Sequence, residues 1–195
     1  MKLKYETALT APKDFIQHVY EIDKQVYSPE LAGVIENLYK RYEKCKDSFV
    51  LIYDEDVQKL VGYVNIFPIA SCLYQEMNAP EYRELRDDDI EPFEMHDWRL
   101  EKPNNLFIIS IAIIPEYRKG QAIILLGNSL LDFLREKDAH GYRILSIAGS
   151  AISEGGENFL KRFRASYVKE IEDGYKYYFA DETNIRRLLQ DGLLL

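Results

Sequence analysis

The sequence predicts a mixed α/β (α+β) fold, a sheet with both parallel and antiparallel pairs flanked by helices. Three observations predict it. The first is a strand–turn–helix unit over residues 105–135. Leu106 to Ile114 is an uncharged nine-residue run rich in β-branched side chains, which suits a strand covered on both faces. Pro115 cannot donate to a ladder and ends it, and Ile123, Leu126, Leu130 and Leu134 then recur at helical spacing. The second is Arg143 to Ala148, another apolar strand, parallel to the first if the helix between them makes the usual right-handed crossover. The third is a pair of hairpins: Ser48–Tyr53 with Leu60–Phe67 about Asp54–Asp56, and Ser166–Ile171 with Tyr175–Phe179 about the turn dipeptide Asp173-Gly174.

The remaining elements follow in chain order. Residues 2–9 alternate weakly and read as an edge strand. Pro12 opens a helix with an apolar stripe of Phe15, Val19, Ile22 and Val26. Ser28-Pro29-Glu30 restarts a second helix, with Ser28 as N-cap and Leu31, Val34, Ile35, Leu38 and Tyr42 on its apolar face. Pro68 closes the first hairpin. Residues 70–104 are acidic and irregular, with a short helix expected near 80–86. A connection of that length reads either as a solvated insertion or as a substrate-facing flap. His140-Gly141 is the expected C-cap of the long helix, with Gly141 left-handed. Ser153 to Phe163 is a short helix reached through two glycines, and residues 182–191 form a terminal helix.

Composition narrows the function classes. At 195 residues, 47% of them apolar, the chain is expected to form one domain with a sizeable core. The net charge of −8 and pI of about 5.0 leave no basic stripe for nucleic acid. No apolar run approaches a membrane span, and the first residues do not read as a secretory signal, so a cytoplasmic protein is expected. Cys45 and Cys72 form neither a disulfide framework nor a metal cluster, and no metal is expected. Neither Gly-x-x-x-x-Gly-Lys-Ser/Thr nor Gly-x-Gly-x-x-Gly occurs, which argues against a nucleotide phosphotransferase.

The basic turn Arg118-Lys119-Gly120 at a helix start is suited to a phosphate, because the first helical turn leaves N–H groups unpartnered and carries partial positive charge. An ordinary βα connection with solvated basic residues is the alternative. Ile113-Ile-Pro-Glu-Tyr-Arg-Lys-Gly-Gln-Ala-Ile-Ile-Leu-Leu126 resembles the acetyl-CoA signature of the GCN5-related N-acetyltransferase (GNAT) superfamily, with Gly120-Gln121-Ala122 matching Gly-x-Gly/Ala. The turn departs from the common form. The usual Gln/Arg position falls on Tyr117, and Arg118 comes one residue later. The element order resembles that fold along nearly the whole chain, which implies a mostly antiparallel, twisted, GNAT-like sheet. Gly62-Tyr-Val-Asn-Ile-Phe-Pro68, with Asp88-Asp-Ile-Glu-Pro92 in the insertion, is similar to a bacterial subgroup of unassigned substrate.

The resemblance implies an N-acetyltransferase that takes acetyl-CoA as co-substrate and a small-molecule or peptide amine as acceptor, by direct transfer. It implies cofactor contacts from the backbone of Ile111, Ala112 and Ile113, from the turn at Tyr117, Arg118, Lys119, Gly120, Gln121, Ala122 and Ile123, and from Ser153. Many members carry a proton-donating Tyr in the short helix, in the pattern Asn-x-x-Ala-x-x-x-Tyr. Here Ser153 takes the Asn place, Gly156 the Ala place and Leu160 the Tyr place, so that tyrosine is absent. Tyr167 is the nearest substitute acid. Glu94, His96 and Asp97 in the insertion are candidate bases, and Ser110 on the long strand is a candidate for holding water. A non-catalytic acyl-CoA-binding or regulatory protein on the same fold is the second reading. No membrane or nucleic-acid partner is expected, and a homodimer is left open.

Overall fold

The computed structural model describes residues 2–86 and 90–194. Asp87, Asp88 and Asp89, part of the acidic run of the insertion, lie outside the described residues. The strands are β1 (Leu3–Thr7), β2 (Phe49–Asp54), β3 (Lys59–Ile69), β4 (Asn104–Ile113), β5 (Ile144–Ala151), β6 (Ser166–Glu170) and β7 (Lys176–Ala180). The helices are α1 (Phe15–Val26), α2 (Ile35–Lys44), α3 (Ser71–Asn78), α4 (Gln121–Ala139), α5 (Glu154–Arg162) and α6 (Glu182–Asp191). One seven-stranded sheet runs in the order β1-β2-β3-β4-β5-β7-β6. Among the described residues only the β4–β5 pair is parallel, because α4 crosses between them while the other neighbours return antiparallel.

The core explains the central strands. β3 is buried along its length after Lys59, as expected for a strand with neighbours on both sides and helices above it. α1 packs on β3 and β4, α4 lies across β1 to β3, and α6 rests on β5 and touches α4. Phe15 of α1 meets Phe49 and Tyr42 edge-on, and fixes the helix on the sheet. Gly141 is left-handed at φ +86°, as the C-cap reading expects. The β6–β7 turn has positive φ at both Asp173 and Gly174, which matches the right-handed twist of a hairpin.

Three expectations are corrected. The second helix begins at Ile35, not at Ser28. Ser28 starts a single turn, with its carbonyl accepting from Leu31 and Ala32 N–H, but Gly33 and the extended Val34 stop propagation. Pro68 does not close the hairpin, since β3 runs on to Ile69 and pairs Pro68 with Leu106. β2 has already ended on that side, at the Phe49–Asn65 pair, so the missing N–H removes no ladder bond, and the Pro68 carbonyl accepts from His96 N–H instead. The helix of the insertion is α3 at residues 71–78, whereas residues 80–86 are irregular. Pro80 holds Ala79 extended and ends that helix, and Lys169 of β6 caps it by donating to the carbonyls of Met77 and Ala79.

Much of the insertion is packed. Tyr82, Ile90, Met95 and Trp98 are buried, and Ile69 bridges to Met95. Trp98 donates to the Asp47 carbonyl and meets Phe133 of α4 edge-on. Among the described residues of the insertion, Leu85 and Arg86 reach the cleft described next.

Candidate functional site

The cleft begins where the one parallel pair ends. β4 and β5 pair from Asn104–Ile144 to Ile108–Gly149, and both strands continue beyond that point without pairing to each other. Against β3, Asn65 pairs with Ser110 and Ile66 with Ile108, so Ile109 is the extra residue of a bulge at the point of divergence. Gly62 of β3 allows close approach of β4 there: a Cβ would meet the Ala112 carbonyl and an Ile113 side-chain carbon, each at 2.9 Å. The opened space is about 1210 Å³, walled by β4, by the Ala151–Gly156 turn into α5, and by α1 with the loop after it.

The cleft-facing edge of β4 carries backbone groups that no strand takes. At Ile111 a tyrosine takes them. The Tyr27 hydroxyl donates to the Ile111 carbonyl at 2.9 Å and lies 3.3 Å from the Ile111 N–H, which donates to it. Two residues on, Arg118 Nε donates to the Ile113 carbonyl at 3.0 Å. Arg118 follows a single 3-10 turn, Pro115–Tyr117, whose proline sets its start. That short turn points the guanidinium back into the cleft.

Further in is a polar cluster that sequence reasoning missed. Asp23, one helical turn before Tyr27, is 3% exposed and lines the cleft. Tyr63 of β3, fully buried, donates its hydroxyl to Asp23 Oδ1. Burial and the neighbouring Asp23 carboxylate push the phenols of Tyr63 and Tyr27 well above the ordinary tyrosine range, so both remain protonated donors. Ser110 joins the cluster through a hydrogen bond with Tyr63. Arg41 of α2 is buried on the same cleft wall. The available signal was a polar residue beside the apolar stripe of α1: Asp23 follows Ile22 directly, on a helix that buries Phe15, Ile16, Val19 and Ile22.

The residues expected to act divide by place. Ser110, Ile111, Ile113, Arg118, Ile123 and Ser153 line the cleft. Ala112 is buried with its carbonyl toward Gly62 of β3. Tyr117 points the other way and donates to Asp54 Oδ2 at 2.7 Å, joining the turn to the end of β2. Lys119, Gly120 and Gln121 are exposed, with Gly120 as the N-cap residue of α4, and Ala122 is buried beneath them. Ser153 caps α5, its Oγ accepting from Gly156 N–H at 3.2 Å.

Glu94 is 8% exposed and bound to Arg86 at 2.7 Å, and it also accepts from Glu91 N–H. Its link to the cleft is Arg86, which lines it. His96 sits at the β3 edge, where its backbone N–H donates to Pro68 and its Nδ1 donates to the Asp97 carbonyl. Burial lowers the pKa of His96 and keeps the ring neutral. Tyr167 is 54% exposed on β6, edge-on to Tyr178. Asp97 accepts from Trp98 N–H and from the Cys45 thiol. Of the five acid, base and water-holding candidates, Ser110 lines the cleft and the other four do not. Among the described residues no cluster of three His, Cys, Asp or Glu side chains could hold a metal ion.

The donor set fits an acyl-pantetheine ligand with a diphosphate. An extended strand edge can pair with amides, as in strand addition. Arg118 and the N-terminus of α4 offer charge and N–H groups to phosphate. No family model and no curated protein matches the sequence. Solved structures do match the fold. The loading GNATL domain of CurA from Lyngbya majuscula superposes with a TM-score of 0.65 at 14% identity, over 94% of this chain and 99% of its own. The GphF GNAT-like decarboxylase, in complex with isobutyryl-CoA, gives 0.64 at 13% identity over 93% of this chain and 100% of its own. An N-acetyltransferase from Staphylococcus aureus Mu50 gives 0.57 at 10% identity over 93% and 99%. Among the described residues no helix is long and apolar enough to cross a membrane. The bulged and diverging sheet and these likenesses agree: the chain has the GNAT fold.

Proposed function

We propose that the protein is an acyltransferase that moves an acetyl group from acetyl-CoA to the amine of a small molecule or peptide, by direct transfer. The observation that carries the reading is the edge of β4 at Ile111–Ile113, turned into a cleft with Arg118 at its basic end. Backbone pairing there would hold the pantetheine arm extended. The bulge at Ile109 would aim a backbone N–H at the thioester oxygen, where charge develops as the amine attacks. Arg118, Lys119 and the first turn of α4 at Gly120, Gln121, Ala122 and Ile123 would hold the diphosphate, with Ser153 and the α5 turn closing the opposite wall.

In this reading Ser110 holds water or the acceptor, since its hydroxyl lies in the Tyr63 cluster. Glu94 would act through Arg86, which lines the cleft. A second reading, a non-catalytic acyl-CoA-binding protein, is favoured by one observation: Leu160, in the usual tyrosine place, is a buried core residue without a proton to give. The structures likened above include one with isobutyryl-CoA, so longer acyl groups belong in the test. Thiol release should be followed with acetyl-, propionyl- and isobutyryl-CoA against a panel of primary amines. Turnover that depends on the amine supports the transferase. Saturable acyl-CoA binding with no turnover on any amine would leave the binding protein.

A further inference from the structure

We propose that Leu85 of the insertion, with Ile152 and Tyr175, forms an apolar subsite on the cleft wall that selects acceptors carrying an aliphatic or aromatic group, and that Glu172 is the positioning residue that holds Leu85 there. The proposal rests on the transferase reading above and names the substrate class of that same site.

The sheet supplies two of the three side chains. Gly149 of β5 and Tyr178 of β7 are paired, and both face α5: a Cβ at Gly149 would meet Leu160 at 3.0 Å, and Tyr178 donates to Glu157. The next pair, Ser150 with Tyr177, therefore points to the opposite face, where Tyr177 donates to Asn78 of α3. Continued past the Ala151–Lys176 pair, the same register sets Ile152 beside Tyr175 on that face. Both side chains are half-buried and line the cleft.

The insertion reaches the same place through a clasp. Glu172, in the turn between β6 and β7, donates its N–H to the Arg83 carbonyl at 2.6 Å and accepts the Leu85 N–H on Oε1 at 2.8 Å. The Glu172 carbonyl accepts from Tyr175 N–H at 3.1 Å. One residue thus ties Leu85 to Tyr175. Anchoring of the insertion as a whole is already supplied by Tyr82, Ile90, Met95 and Trp98, which are buried. The clasp adds the placement of one half-buried leucine on the cleft wall. The neighbouring Arg86 is committed to Glu94 at 2.7 Å. Apolar side chains left half-exposed in a cleft gain when they are covered, in proportion to the area removed from water. A hydroxyl placed there loses water without gaining a partner. An acceptor whose amine reaches the β4 edge while an apolar group covers Leu85, Ile152 and Tyr175 satisfies both.

The test follows thiol release from acetyl-CoA with butylamine, hexylamine and phenethylamine, each paired with an amine of similar length that ends in a hydroxyl. The same pairs are titrated calorimetrically in the presence of CoA, so that binding is read whether or not turnover occurs. In the wild type at least one apolar amine should have a KM or Kd about tenfold or more below that of its partner. Leu85→Asp should lose that preference while keeping its affinity for CoA. Glu172→Ala should weaken it through KM rather than kcat, and Glu172→Gln, which keeps the accepting oxygen, should restore it. No preference in the wild type, no binding of any apolar amine, or a preference that survives Leu85→Asp overturns the subsite. Equal loss in Glu172→Ala and Glu172→Gln overturns the role of Glu172. The wild-type comparison stands even if a variant fails to fold. Saturable CoA binding with no thiol release on any amine counts against the transferase reading, whereas amine-dependent release that ignores the apolar group keeps that reading and removes the subsite.

Discussion

Tyr27 is where the properties of a single side chain bear most on function. Its hydroxyl satisfies both backbone groups of Ile111, which a pantetheine arm would need. In the proposed reading a ligand pairing there must displace it, so the phenol would compete with acetyl-CoA. Tyr27→Phe leaves those groups unsatisfied in the free protein and removes the competitor. A net hydrogen bond contributes about 0.5–1.5 kcal/mol, so acetyl-CoA should bind roughly 2–10-fold more tightly to the variant. Calorimetric titration checks this, and unchanged or weaker binding would remove Tyr27 from the cofactor's path. Gly62 makes a second residue-scale case. A Cβ at that position lies 2.9 Å from the Ala112 carbonyl, which belongs to backbone and cannot swing away. Gly62→Ala should destabilise the protein by about 1–3 kcal/mol, with roughly 2–4 °C of Tm lost per kcal/mol, read by thermal melting.

At the scale of elements, the turn from β4 into α4 decides whether the basic end of the cleft can hold phosphate. Gly120 is its N-cap residue, with an extended backbone at φ 173° that any residue adopts. A Cβ there meets nothing within 4 Å. Gly120→Leu should therefore keep Tm within about 1–2 °C, since exposed positions of this kind tolerate change within about 0.5 kcal/mol. The leucine would nonetheless cover N–H groups at the start of α4, and acetyl-CoA affinity should fall by about tenfold or more, a loss of about 1.4 kcal/mol. Native affinity in a well-folded Gly120→Leu protein would mean that phosphate is held elsewhere. The single 3-10 turn before Gly120 is the structural form of the shortened motif. It sends Tyr117 outward to Asp54 and Arg118 inward to Ile113.

Across the whole molecule, a charged network joins α5 to the closing hairpin. Glu157 of α5 bonds Lys176 at 2.6 Å and Tyr178 at 2.8 Å on β7, and Lys161 at 3.2 Å on its own helix. The Lys176 bond, with those from Tyr178 and Lys161, lowers the Glu157 carboxyl from 4.5 to about 2. The folded state thus binds its proton less readily than the unfolded state. Its contribution is complete above the ordinary carboxylate value and is lost as pH falls from 4.5 toward 2. Melting curves between those limits should show a steeper acid loss for the wild type than for Glu157→Gln, and parallel curves would contradict the assignment.

How much was legible in the sequence follows from what each feature depends on. Local chemistry was enough for the strands and their turns: β-branched runs, Pro115 and the Asp173-Gly174 dipeptide act within a few residues. It was enough as well for the long helix and its Gly141 cap, and for the basic turn, whose residues are contiguous. Local signals failed at Ser28, where a good N-cap pattern lost to Gly33, and at Pro68, where only the end of β2 makes a proline harmless within a strand. They also placed the insertion's helix nine residues late, 80–86 against Ser71–Asn78. The site itself was half legible. Ile111, Arg118 and Ser153, which line the cleft, were named from the family resemblance. Asp23, Tyr27 and Tyr63 were not found, because they are separated along the chain and meet only when α1 packs on β3 and β4. The sequence by itself determined the elements and the loop that resembles a cofactor signature, since periodicity and turn chemistry are short-range. Tertiary structure decided which carboxylate faces the cleft, because burial and convergence depend on how distant segments pack.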